Sequence, residues 1–103
     1  RRPAGAAVNL ARAHVRVPDH VVQRAFESET VVLNLHTGEY HGLNHTAARM
    51  LEALREHGSV PATAEVIARE FQLPVEKVTG DLTDLCADLA FRSLIEIAPG
   101  PDV

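Results

Sequence analysis

The sequence has one cysteine, one tyrosine, three phenylalanines and no tryptophan among 103 residues. A lone thiol, Cys86, excludes an internal disulfide and fits a reducing compartment. With so few rings, a core has to be assembled from Leu, Val, Ile and Ala. No apolar run approaches the roughly 20 residues that cross a bilayer as a helix, so no membrane partner is expected. No segment joins a charged start, an apolar middle and a small-residue cleavage site, and a cytoplasmic location follows as the expectation. Acid is missing from the first fourteen residues, where Arg1, Arg2 and Arg12 contribute +3. Residues 15–103 carry seven basic against fourteen acidic residues, a net of −7. Such a body repels the phosphates of a nucleic acid and is compatible with a positively charged partner. Phosphate-binding loops, dinucleotide fingerprints and paired acid–base constellations are also missing.

What is present centres on Thr30 to Leu54. Thr30–His36 is rich in β-branched and aliphatic residues, with Leu33 and Leu35 alternating toward one face. Thr37-Gly38 supplies turn chemistry, because glycine takes a positive φ without steric cost. Glu39–Leu43 returns as a second strand and a candidate sheet edge. Asn44 then has the side chain of a helix N-cap. Ala47, Met50, Leu51 and Leu54 recur at helical spacing as an apolar stripe.

The flanking segments extend this unit. Residues 1–14 read as a flexible basic tail, with a possible helical turn at Val8–Arg12, and residues 99–103 as a short C-terminal tail. The domain proper is expected over 15–98. Val15–Phe26 reads as a strand interrupted at Pro18-Asp19, since proline donates no ladder bond. Glu27-Ser28-Glu29 is the loop joining it to the Thr30 strand, completing a meander. Gly58 stops the first helix with Pro61 beyond it. Thr63 caps a second helix over Ala64–Phe71, with Val66, Ile67 and Phe71 as its stripe. Pro74 opens a third that runs to about Phe91. Val78, Leu82, Leu85 and Leu89 form that helix's core seam, and Ser93–Ile97 adds a short final strand. The expected class is therefore α+β: a three-stranded antiparallel β-meander followed by three helices, similar to a winged helix-turn-helix.

That architecture raises a DNA-binding regulator as the alternative function, with the third helix in the major groove. Its charges argue against it: Glu76, Asp81, Asp84 and Asp88 stand against Lys77 and Arg92. Cys86 lies mid-helix beside the leucine seam, where a thiol serves as a small core residue rather than a nucleophile. His36, His41 and His45 cluster around the hairpin but lack the tight ligand pairs of a zinc site. No metal or other cofactor is expected. A dimer pairing its strand edges is the remaining structural reading. The chain reads as a binder rather than an enzyme.

The run Val32-Leu33-Asn34-Leu35-His36-Thr37-Gly38-Glu39-Tyr40-His41-Gly42-Leu43-Asn44 resembles the signature of PqqD-like proteins: a hydrophobic strand, T-G-x-Y, then L-N. Asp81-Leu82 through Leu85, Leu89 and Arg92-Ser93-Leu94-Ile95 is similar to the same family's closing pattern, in which a helix ends in a basic-Gly-Leu-Leu/Ile turn. Ser93 stands where Gly is usual and Cys86 where a larger aliphatic is common. The resemblance covers about residues 15–97. It implies a precursor-peptide recognition domain of ribosomally made, modified peptides. Such a domain binds the leader segment as an added strand and presents it to a separate leader peptidase or other modifying enzyme. The standalone proteins of lasso-peptide biosynthesis are the most similar in size. A monomer or weak dimer is expected.

On that reading the peptide site comprises Glu39, Tyr40, His41, Gly42 and Leu43 on the edge strand, with Thr79, Leu82, Thr83, Leu85, Cys86 and Leu89 on the third helix. The three leucines double as the core seam, which leaves the groove to their flanks at Thr79, Thr83 and Cys86. Strand addition supplies main-chain bonds while pockets supply selectivity. About four such bonds at roughly 1 kcal/mol net each do not offset an ordering cost of about 1–2 kcal/mol per leader residue. Two or three apolar anchors, roughly 1.5–3 kcal/mol each, have to provide the surplus. Asp81, Asp84 and Asp88 would steer a basic leader.

Overall fold

The computed structural model describes residues 12–27 and 29–98. Most of the basic N-terminal segment, the loop residue Ser28 and residues 99–103 lie outside the described residues. Eight elements follow in order: β1 (His14–Arg16), β2 (Val21–Ala25), β3 (Thr30–Asn34), β4 (Tyr40–Leu43), α1 (His45–His57), α2 (Val60–Phe71), α3 (Val75–Phe91) and β5 (Glu96–Ala98). The antiparallel meander is β2-β3-β4, as expected for an α+β fold. Its first strand is narrower than the sequence suggested. Val15 and its neighbours form a second sheet instead, pairing antiparallel with β5 through Val15 opposite Ile97. Pro18 separates the two pieces and its carbonyl accepts from Val21 N at 3.0 Å, so the chain turns from one sheet into the other. The N–H of Val15 also reaches Gly58 O at 2.8 Å, tying β1 to the end of α1.

The buried parity of β3 is opposite to the expected one. Val32 and Asn34 face inward, whereas Leu33 is half-buried on the outer face and Leu35 is exposed in the turn. Asn34 explains why the strand stops there rather than at His36. Its side-chain Oδ1 accepts from His36 N at 2.8 Å and Thr37 N at 3.3 Å, while its own N–H donates to Glu39 O at 2.9 Å. A short side chain that captures its neighbours' amides replaces the ladder with a turn. Gly38 completes that turn at φ 80°.

Helix ends follow local chemistry. Asn44 Oδ1 accepts from Ala47 N at 2.8 Å, capping α1, and Gly58 ends it at φ 71°. The cap of α2 is Ser59, not Thr63: Ser59 Oγ accepts from Ala62 N at 3.2 Å. Pro61 therefore lies in the first turn of α2, where its missing N–H costs nothing, rather than in a linker. Thr63 is fully buried, one turn further on. The core joins Leu51 and Leu54 of α1, Ile67 of α2, Leu82 and Leu89 of α3, and Val21 and Val32 of the sheet. In α3 the seam runs through Val78, Leu82, Cys86 and Leu89, with Leu85 only half-buried at its margin.

The end of α3 is a Schellman closure. Leu94 N donates to Leu89 O at 2.8 Å and Ser93 N to Ala90 O at 3.0 Å, with Leu89 and Leu94 both buried. Ser93 occupies the left-handed position at φ 62°. A residue with a Cβ is strained there by roughly 1–2 kcal/mol, and glycine is not. Ser93→Gly is therefore expected to raise the unfolding free energy by about 1 kcal/mol. Urea denaturation at constant m checks this, and an unchanged or lower midpoint would contradict the strain.

Candidate functional site

An antiparallel pair alternates residues that exchange bonds with residues that point their N–H and C=O away. The Asn34 N to Glu39 O bond sets that alternation between β3 and β4. His41 and Leu43, opposite Val32 and Thr30, bond to β3. Tyr40 and Gly42 consequently direct both main-chain groups outward from the sheet. Since β4 is an edge strand, these four groups are free of ladder partners among the described residues. Their side positions are open too. Tyr40 is 70 % exposed, and Gly42 has no side chain, with only the end of the Glu29 carboxylate over it.

The opposite edge of the same sheet is treated differently. On β2 the outward residues are Val21, Gln23 and Ala25, and arginines occupy two of their three carbonyls. Arg55 Nη2 donates to that of Val21 at 3.5 Å and Arg24 Nη1 to that of Gln23 at 3.0 Å. Guanidinium groups on an edge blunt its capacity to pair with another strand. Of the two edges, β4 is the one with no guanidinium on its outward main-chain groups among the described residues.

The helix beside β4 is α3, joined to it by a contact between Arg92 Nη1 and His41 Nδ1 at 3.2 Å. Arginine has no acceptor, so His41 Nδ1 accepts and the ring proton sits on Nε2. Arg92 also donates from Nε to both Asp88 oxygens, at 3.1 and 3.2 Å. Steps of four, three and four back from Arg92 reach Asp88, Leu85 and Asp81, which share its flank of the helix. Asp81 in turn lies 3.3 Å from Lys77 Nζ. The β4-facing flank of α3 is thus a half-buried leucine set among ion-paired aspartates.

The residues singled out from the sequence divide accordingly. Tyr40, His41 and Gly42 form the open edge, and Leu85 lies on the helix flank that faces it. Leu43 is buried beneath the strand, and Glu39 is exposed in the turn, its N–H donating to Thr37 Oγ1 at 3.1 Å. Leu82, Cys86 and Leu89 are buried at 0 %, 0 % and 1 %, so they belong to the core and present no surface. Thr79 and Thr83 stand on the other side of the buried stripe, about half a turn from Arg92. Asp81, Asp88 and Arg92 had entered the sequence reading only as charges or as part of the closing pattern. Helical phase relative to Arg92 would have grouped them, but only the His41 contact shows which flank faces the strand.

The three hairpin histidines diverge. His36 stacks on His20 at 3.7 Å between ring centroids, His41 meets Arg92, and His45 packs near Phe71 at 6.2 Å. Among the described residues no group of three or more His, Cys, Asp or Glu side chains is placed to hold a metal ion. Glu76, Asp81, Asp84 and Asp88 are all exposed on α3, an acidic surface for a nucleic acid to approach. No described helix is long and apolar enough to cross a membrane.

Comparison with known proteins places the chain in context. The family model for "Coenzyme PQQ synthesis protein D (PqqD)" matches residues 29–95. The solved structure "TbiB1 in Complex with the TbiA(beta) Leader Peptide" aligns with a TM-score of 0.70 at 31 % identity, covering 79 % of this chain and 94 % of that one. "Lasso peptide synthetase B1 complexed with the leader peptide" aligns with a TM-score of 0.70 at 22 % identity, covering 81 % and 98 %, a likeness of fold. A search of the curated proteins found no match.

Cys86 provides a test of the core behind this flank of α3. Burial pushes its thiol up from 9.0 to about 11. Because the folded-state value is raised, its contribution to stability is complete below pH 9 and is lost as pH rises through about 11. In the native protein at pH 8 an aromatic disulfide reagent is expected to label Cys86 only at the rate of global opening, and at once in denaturant. Fast labelling of the folded chain would show that this part of the core is accessible.

Proposed function

The chain belongs to the PqqD family, and from that membership we propose that it binds the leader segment of a ribosomally synthesised precursor peptide by strand addition to β4. A leader peptide as partner is supported by TbiB1, a relative 31 % identical that was solved with one, and the lasso-peptide class is favoured by the chain's likeness in size to the standalone proteins of that class. The observation that carries the mechanism is the set of four outward main-chain groups on Tyr40 and Gly42. A leader strand laid antiparallel or parallel along them satisfies its own backbone and theirs together. Alternate leader side chains then point either past Tyr40 to solvent or inward between β4 and α3.

The inward set meets His41, Leu85, Asp88 and Arg92. Four main-chain bonds contribute about 4 kcal/mol in all, less than the cost of ordering the leader. Apolar leader side chains against Leu85 and the rim of the core supply the difference. The exposed carboxylate of Asp84 adds long-range attraction for a basic leader, as do Asp81 and Asp88 beyond their own partners. The protein in this reading does no chemistry. It holds the leader extended, within a domain spanning 15–98, and hands the attached core to a separate leader peptidase or another modifying enzyme.

Calorimetric titration with the leader half of a precursor encoded beside the gene tests this, with the core half as control. Binding of the leader alone at about 1 μM or tighter is expected, corresponding to some 8 kcal/mol. Gly42→Pro deletes one outward N–H and leaves the bonds of His41 and Leu43 to β3 in place. It should weaken the leader about five- to tenfold with unchanged circular dichroism. A folded protein that binds neither half would sink the proposal. Undiminished binding by Gly42→Pro would move the site off β4.

A further inference from the structure

A cleft of about 640 Å³ opens on the edge of the sheet away from β4, between β2 and α1. We propose that this cleft is a second docking site, which takes an acidic, extended segment of a partner protein. The inference goes beyond leader binding, and its choice of a partner protein as the occupant rests on that reading.

Three arginines line the cleft, Arg24, Arg49 and Arg55. Arg49 is already satisfied, with Nε 2.9 Å from Glu70 and Nη1 3.4 Å from Glu52. Arg24 and Arg55 are exposed, and among the described residues neither has a carboxylate partner. Each guanidinium donates only to a main-chain carbonyl of β2, Arg24 to Gln23 and Arg55 to Val21. A carboxylate is the stronger acceptor for a guanidinium and is matched to its planar fork. The two occupied carbonyls are two residues apart on one strand, about 6.8 Å. That is also the separation of side chains i and i+2 on one face of an extended peptide. Two alternate carboxylates of such a peptide can therefore reach both guanidiniums at once. Val21, Val22, Ala25 and Ala48 give the cleft an apolar lining for the residues between them.

The charge pattern selects a peptide over a nucleic acid. Asp19 and Glu52 also lie on the lining, so a continuous run of phosphates would meet acid as well as cation. Discrete carboxylates spaced by neutral side chains avoid them. Gln23 fixes the wall of the cleft, its Nε2 donating to Ala48 O at 3.1 Å across the gap from β2 to α1. With Arg24 and Arg55 covering two of the three outward carbonyls of β2, the occupant docks by its side chains rather than as a fourth strand. A protein that presents a bound peptide to an enzyme needs a contact surface which that peptide does not cover. The two edges of one small sheet separate these tasks, with β3 between them.

Fluorescence anisotropy of the full chain with a labelled octapeptide alternating Glu and Val tests the site. The expected result is saturable binding at least about tenfold tighter than that of the matching Gln/Val octapeptide. Arg24→Gln and Arg55→Gln should each weaken it several-fold, while leaving leader affinity unchanged. The Glu/Val peptide should also protect Arg24 and Arg55 from phenylglyoxal in the wild-type chain, a readout that holds even if the Gln variants aggregate through the uncovered edge. Equal affinity for the two peptides, or no protection of either arginine, would overturn the proposal. Tighter binding of a labelled RNA oligonucleotide than of the Glu/Val peptide would overturn it in favour of nucleic acid.

Discussion

An open sheet of three strands leaves two rows of main-chain groups that the sheet itself cannot satisfy. How each row is dealt with governs what this protein can bind. On β2 two of the three outward carbonyls are taken by Arg24 and Arg55, side chains long enough to curl back onto the strand or reach it from α1. On β4 the groups of Tyr40 and Gly42 meet no protein partner among the described residues. Water satisfies them when the edge is free, so the exchange for a peptide strand is worth only the small net value of each bond. Selectivity then has to come from side chains beside the edge, and the geometry of α3 becomes decisive.

That geometry depends on how α3 ends. The Schellman closure at Ser93 turns the chain sharply, sends Leu94 into the core and leaves Arg92 at the corner. From there Arg92 bridges Asp88 on its own helix and His41 on the strand. The buried stripe of α3 anchors the helix, and the flank beside it, Leu85 with its aspartates, faces the open edge. In the proposed leader site one helix thus serves as core wall on one side and as groove wall next to it.

Features set by a few consecutive residues were legible from the chain alone. Asn44 and Gly58 bracket α1 because an amide oxygen and a left-handed glycine act on amides and carbonyls within one turn of themselves. The hairpin around Thr37-Gly38 is equally local. Competition between nearby signals was harder to read. Ser59 and Thr63 both suit a cap, and Pro61 suits either the end of a linker or the start of a helix. Burial of Thr63 in the core decides for the longer helix. Leu33 and Leu35 look more like core residues than Val32 and Asn34 do. Yet the turn built by the Asn34 side chain sets which parity faces inward.

Sequence by itself determined the order and type of the elements, the edge-strand motif from Thr37 to Asn44 and the family the chain belongs to. These rest on short-range chemistry and periodicity, which act before any tertiary contact forms. Tertiary structure alone decided that β1 leaves the meander to pair with β5, with Arg16 and Glu96 meeting across 80 residues. It also decided which flank of α3 faces β4, that Thr79 and Thr83 point elsewhere, and that two arginines converge on the far edge. A helical period defines a buried stripe but is the same on either side of it. Only the docking of that helix near a strand distant in sequence, seen in the Arg92–His41 contact, distinguishes one side from the other.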